Sequence, residues 1–74
     1  MTLYYADAEI PDVLGDQYHV RAFWDKHNGY GVDVMLVGPD TVTHWEEPRY
    51  VSSRAAALIL FATVVKRVTK QVYG

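Results

Sequence analysis

The chain of 74 residues contains no cysteine, which excludes disulfide bonds, thiol catalysis and cysteine-ligated zinc. Its start has no basic run followed by an apolar segment, so a secretory signal is not expected. No apolar stretch reaches the ~20 residues that a membrane-spanning helix requires. The longest one, from Ala55 to Val65, fits the core of a helix instead. We therefore expect a cytoplasmic protein.

Composition and length favour a small folded domain. Apolar residues make up 50% of the chain and charged residues 22%, a balance typical of folded rather than disordered proteins. We expect residues 1–74 to form one small α+β domain. A chain this short buries only about 60% of the surface that its unfolded form exposes, so a partner surface is expected to add stability. The net charge of -2 argues against a general polyanion binder.

Alternation of apolar and mixed side chains over residues 18–26 and 30–37 predicts two half-buried strands. The apolar side consists of Tyr18, Val20, Ala22 and Trp24 on the first strand and Tyr30, Val32, Val34 and Leu36 on the second. The intervening His27, Asn28 and Gly29 allow a two-residue turn or a three-residue loop with Gly29 in the left-handed region. We favour the three-residue loop, with Trp24 paired to Val32, because it sets apolar side chains opposite one another.

A third strand, residues 42–47, is predicted to follow the turn-forming segment 38–41 and to end at Pro48. Pairing Val37 with Val42 places Trp45 on the apolar side of the sheet. Residues 1–17 carry weaker signals: the first few can add a fourth, edge strand, and residues 10–15 fit a turn of helix or a tight loop. The predicted sheet is therefore antiparallel with three strands, or four with the N-terminal one.

Ser52 or Ser53 can cap a long C-terminal helix, because neither proline nor glycine occurs between them and Gly74. The stripe predicted to pack on one face of the sheet consists of Leu58, Phe61, Ala62, Val65, Val68, Thr69 and Val72. Further apolar residues, Ala57, Leu60 and Val64, widen the apolar arc to about 200°, beyond the ~100° that one sheet covers. Either the N-terminal segment covers these residues or they form the seam of a homodimer.

The other face of the sheet is predicted to bind a partner, since it combines apolar anchors with a rim of carboxylates. Its predicted partner-binding residues are Phe23, Asp25, Asp33, Met35, Val42, His44 and Glu46. In the predicted register Asp33 lies opposite Glu46, a destabilising pair of like charges that Arg21 can offset diagonally. The two carboxylates are expected either to be solvated surface charges or to receive a cation from a partner's Arg or Lys. The alternative is that the N-terminal segment covers this face.

The sequence contains no catalytic or metal-binding motif. His19 and His44 are expected two strands apart, about 10 Å, and His27 lies in a loop. Ser52 and Ser53 have no histidine placed to act as a base. We therefore expect neither enzymatic activity nor a metal or cofactor.

A sheet followed by one helix is similar to the topology of small DNA readers of the integrase-arm type, but their sheets present Arg and Lys where this one presents carboxylates. The leading hypothesis is therefore a non-enzymatic protein-binding module that occupies a basic surface of a target. Small acidic proteins of this kind resemble phage and mobile-element inhibitors, including anti-CRISPR proteins. The alternative is a nucleic-acid-binding accessory protein, whose basic residues would be Arg49, Arg54, Lys66, Arg67 and Lys70.

Overall fold

The computed structural model describes all 74 residues and contains four strands and one helix. The elements are β1 (Thr2–Pro11), β2 (Gln17–Asp25), β3 (Gly29–Val37), β4 (Val42–Val51) and α1 (Arg54–Tyr73). The strands form an antiparallel sheet in the order β1-β2-β3-β4, and α1 packs on one face of it. The predicted α+β fold with a C-terminal helix is confirmed, and the N-terminal segment supplies the fourth strand. The helix is not apolar enough to cross a membrane.

The central hairpin of β2 and β3 differs from its predicted register. Trp24 lies opposite Tyr30 rather than Val32, so the predicted pairing is wrong by two residues. The loop consists of residues 26–28, and Gly29, with a φ of 82°, begins β3. Because side chains alternate with a period of two along a strand, a shift of two leaves each side chain on its predicted face.

The two edge strands pair irregularly with the hairpin. The register of β1 shifts between Tyr4 and Ala6, and that of β4 shifts on both sides of the pair formed by Val34 and Glu46. The predicted end of β4 at Pro48 is wrong, since the strand continues to Val51. Proline is tolerated there because it lies on an edge strand, within an irregular stretch of the ladder.

The hydrophobic core lies between the sheet and α1. It consists of Ile10, Val20, Ala22, Val32 and Val34 from the sheet with Val64 and Val68 from the helix. Ala57 is also fully buried, and Leu60 packs against the core. Ala57 and Val64 are thus buried within the chain and Leu60 is half-buried, which leaves little of the predicted dimer seam open to a second copy.

The helix is turned about its axis relative to the predicted stripe. Leu58, Ala62 and Thr69 were expected to face the sheet, and all three are exposed. The apolar arc of about 200° contains both the predicted and the observed stripe, so periodicity alone does not determine the centre of the buried face.

Both ends of α1 are held by hydrogen bonds. Of the two candidate caps, Ser53 is the one used: its hydroxyl accepts a hydrogen bond from the backbone N–H of Ala56 at 3.1 Å. Near the other end, the Tyr73 hydroxyl donates to the carbonyl oxygen of Pro11. The last turn of the helix is thereby tied to the end of β1.

The orientation of α1 is tested by two truncations. Val64→Ala should lower the free energy of unfolding by about 2 kcal/mol, because it removes buried methyl groups and leaves a cavity. Ile59→Ala removes a similar group from a side chain that is 69% exposed, and its effect should stay within about 0.5 kcal/mol. Urea denaturation measures both, and equal losses would contradict the observed orientation.

Candidate protein-binding surface

Three aromatic side chains form a row across the outer face of the sheet, the face opposite α1. The Phe23 ring lies 5.9 Å from the Tyr4 ring and 5.9 Å from the Tyr50 ring, centroid to centroid. Between Phe23 and Tyr50 the sheet carries Gly31, which pairs with both residues. A Cβ atom on Gly31 would lie 2.7 Å from the Cζ atom of Phe23. The missing side chain at position 31 therefore lets Phe23 extend over β3 and contact Tyr50.

The exposed members of this aromatic row are the two tyrosines. Tyr4 is 51% exposed and Tyr50 47% exposed, whereas Phe23 is only 4% exposed. The expectation that Phe23 is an accessible anchor is wrong, because the tyrosines cover it from both sides. Sequence reasoning missed Tyr4 and Tyr50, since β1 was weakly indicated and β4 was expected to end before Tyr50. The sequence feature that could have indicated this row is Gly31, because it leaves one outward-facing position of β3 without a side chain and so makes room for neighbouring rings.

Arg21 and Asp33 form a bidentate ion pair beside the aromatic row. They lie directly opposite one another on β2 and β3. The Arg21 Nε atom donates to Asp33 Oδ1 at 3.0 Å, and Nη2 donates to Oδ2 at 2.8 Å. The guanidinium also lies 4.3 Å from the centroid of the Tyr4 ring, a cation–π geometry. Asp33 is 5% exposed, so it has an internal cation and does not await one from a partner.

Glu46 lies on the helix side of the sheet, contrary to its predicted place on the outer face. The irregular pairing of β4 sets it opposite Val34, from where it reaches Arg67 on α1. The two guanidinium nitrogens Nη1 and Nη2 donate to its carboxylate oxygens at 2.7 and 2.6 Å. These hydrogen bonds hold the pKa of Glu46 below its ordinary value, although partial burial opposes them. Glu46 therefore joins sheet to helix and is unavailable to the outer face.

The remaining predicted partner-binding residues lie on the outer face or at its rim. The Asp25 carboxylate accepts hydrogen bonds from the backbone N–H of His27 at 2.8 Å and from the Asn28 side chain at 3.4 Å. The His27 bond is the main reason that the pKa of Asp25 is lowered. Met35 pairs with His44, and Val42, the first residue of β4, is exposed. Asp25 thus stabilises the hairpin loop, while the other three keep their predicted face.

The outer face carries more negative than positive charge. On β1, Asp7 lies opposite Arg21, and Glu9 lies opposite His19, so both carboxylates belong to this face. With Asp25 and Asp33 they make four carboxylates against the single guanidinium of Arg21, a net charge of -4 + 1 = -3 with histidine neutral. Asp7 and Glu9 are exposed. The acidic character predicted for this face is therefore present, but it derives from β1 rather than from Glu46.

The close approach at Gly31 is tested by Gly31→Ala. The added methyl group must displace the Phe23 ring, which is held between two tyrosines, so we expect a loss of about 1–3 kcal/mol in the free energy of unfolding. In a Phe23→Leu background the same substitution should cost less, because the clashing ring is gone. Denaturant unfolding of the parent, the two single variants and the double variant gives the coupling free energy between positions 23 and 31. Additive effects would contradict the proposed contact.

The ion pair of Glu46 with Arg67 predicts a pH dependence. Because the pKa of Glu46 is lowered in the folded state, its contribution is fully present above the ordinary glutamate pKa of about 4.3 and is lost as pH falls through the lowered value. Glu46→Gln should therefore lower the free energy of unfolding by ~1 kcal/mol at neutral pH, a figure that allows for partial exposure.

The measurement is chemical denaturation from about pH 6 down to about pH 3. The difference between parent and Glu46→Gln should shrink across this range. Glu47→Gln is the matched control, since it removes a neighbouring exposed carboxylate that takes part in no ion pair. A constant difference between parent and Glu46→Gln across this range would contradict the lowered pKa of Glu46, and identical curves would show that the pair contributes nothing.

Comparisons with known proteins find no match to this chain. No protein-family model matches it, and neither a curated protein nor a solved structure does so. Its function is therefore argued from the geometry and charge of its own surfaces.

Proposed function

We propose that this protein is a non-enzymatic protein-binding module that contacts a basic partner surface with the outer face of its sheet. The observation that carries the proposal is the aromatic row, in which the half-exposed Tyr4 and Tyr50 are held by the buried Phe23. Tyrosine is enriched among the residues that dominate binding energy at interfaces. A ring already held in place loses little conformational entropy on binding.

Charge supports a basic partner. The outer face has a net charge of -3, and the exposed Asp7 and Glu9 lie on β1, the strand that also supplies Tyr4. Carboxylates at the edge of an interface attract a positively charged partner and speed its association, while buried aromatic anchors slow dissociation. The carboxylates are thus suited to speeding association, and the tyrosines to slowing dissociation, of the same partner.

A protein with this surface acts by covering a basic site on its target. Inhibitors encoded by phages and mobile elements, anti-CRISPR proteins among them, include small acidic proteins of this kind, and we propose such an inhibitory role. This narrower role rests on an analogy of size and charge. Self-association stays a separate prediction. The burial of Ala57 and Val64 within the chain gives the proposed seam no support.

The alternative function, nucleic-acid binding through basic residues of the helix, has less support. Arg67 is engaged by Glu46, and the Arg54 guanidinium lies over the ring of Tyr5 at 4.9 Å from its centroid. Lys66 and Lys70 remain on the exposed side of α1. Two lysines provide few of the phosphate contacts on which nucleic-acid affinity depends.

The proposed surface is tested by comparing two tyrosine truncations. Tyr50→Ala removes an exposed ring from the aromatic row, whereas Tyr73→Ala removes a similarly exposed ring from α1 together with its hydrogen bond to Pro11. Denaturant unfolding first shows that both variants remain folded. With a partner isolated from the native cell, Tyr50→Ala should raise the dissociation constant by about thirtyfold, which corresponds to ~2 kcal/mol. Tyr73→Ala should bind like the parent.

Two further results separate the candidate functions. Replacing Asp7 and Glu9 by their amides should mainly slow association with the partner and flatten its salt dependence. If Tyr50→Ala binds the partner as the parent does, the aromatic row is not the interface. If instead the parent binds DNA or RNA with steep salt dependence and replacing Lys66 and Lys70 abolishes it, the nucleic-acid function takes the place of the proposed one.

A further inference from the structure

An open pocket of about 340 Å³ lies on the helix side of the sheet, on the face opposite the aromatic row. It is lined by Leu3, Tyr5, Trp24, Tyr30 and Arg54. These residues come from three adjacent strands and from the first residue of α1. Its volume lies at the lower end of the range typical of small-molecule sites.

Alternation along β1 places Leu3 and Tyr5 on the helix side, next to Trp24. The register shift leaves Tyr5 without a direct partner on β2, and its ring meets the Tyr30 ring edge-on at 6.5 Å between centroids. Trp24 pairs directly with both Leu3 and Tyr30. Three aromatic side chains are therefore gathered at the end of the sheet where the helix begins.

Arg54 gives the pocket a positive charge. It is the only charged residue of the lining, it forms no ion pair, and its guanidinium lies 4.9 Å from the centroid of the Tyr5 ring. The first turn of α1 contains no acidic residue, so the positive end of the helix dipole is not offset there. This charge disfavours a cationic guest among the aromatic rings and favours an anionic one.

Tyr5, which lines the pocket, also carries a hydroxyl group. It is shielded from solvent and has no hydrogen-bond partner, a state that normally costs free energy until a partner is supplied. Burial raises the pKa of this hydroxyl against the opposing charge of Arg54. The group therefore stays protonated at neutral pH and is able to donate a hydrogen bond.

We propose that this pocket binds a small planar aromatic carboxylate, with its ring packed against Trp24 and Tyr30 and its carboxylate paired with Arg54. The aromatic walls supply apolar contact to a flat ring. The guanidinium supplies a charge-assisted hydrogen bond to the carboxylate. This site is independent of the protein-binding face, so either one can fail without the other.

The probe is indoleacetate, with its uncharged amide, indoleacetamide, as the matched ligand. NMR titration of the nitrogen-labelled protein follows the two indole N–H signals, of Trp24 in this pocket and of Trp45. Trp45 serves as the internal control because it lines a second pocket, whose only charged residue is Asp12. We expect a saturable shift at Trp24, little change at Trp45, and about tenfold tighter binding of the carboxylate than of the amide.

Variants test the contributions of the Arg54 charge and of the Tyr5 hydroxyl to binding. Arg54→Gln should reduce carboxylate affinity to that of the amide, Arg54→Lys should retain part of it, and Arg49→Gln, which removes a guanidinium outside the pocket, should have little effect. Tyr5→Phe should weaken binding severalfold without unfolding the protein. Equal affinities for the two ligands, matching shifts at both tryptophans, or no saturation below about 10 mM would each overturn the proposal.

Discussion

The irregular pairing of the two edge strands is the constraint on which the other features of this protein depend. In a regular strand, successive side chains point to opposite faces. The register shifts place consecutive residues on the helix side instead: Tyr5 with Ala6 on β1, and Trp45 with Glu46 on β4. Without them, Glu46 would not reach Arg67, and Ala6 would not join Tyr5 on the helix side. The sheet therefore presents two chemically different faces, one acidic with an aromatic row and one apolar with a cation at its edge.

Two internal ion pairs neutralise charged residues that the sequence suggested as surface charges. Asp33 is neutralised by Arg21 across two strands, and Glu46 by Arg67 between sheet and helix. Each pair removes one acid and one base from the surfaces open to a partner. What remains on the outer face is the carboxylate edge of β1 beside exposed tyrosines, a combination suited to association with a basic protein surface. The helix loses one of its cations in the same way, which weakens the case for a nucleic-acid surface there.

The aromatic row also shows how one small residue organises a surface. Gly31 has no side chain to separate Phe23 from Tyr50, so a buried ring supports two exposed ones across four strands. Phe23 was predicted to contact a partner, and its position on the outer face was right while its exposure was not. Burial on an open sheet face depends on which neighbours cover a residue, and those neighbours belonged to β1 and to the end of β4.

The sequence by itself determined the fold class, the faces of β2 and β3, and the start of the helix. These features follow from local rules: the period of two in residues 18–37, the positive φ required at Gly29, and the serine cap followed by a segment without proline or glycine. Only the tertiary structure decided the hairpin register, the irregular edges, the rotation of α1 and the partners of Asp33 and Glu46. A register shift changes which face every later residue occupies without leaving a periodic signal, and Glu46 meets a partner 21 positions away. The apolar arc of α1 is wide enough to fit the local pattern in more than one orientation. The orientation of the helix, and with it the contact between Glu46 and Arg67, is therefore fixed only when the helix packs on the sheet.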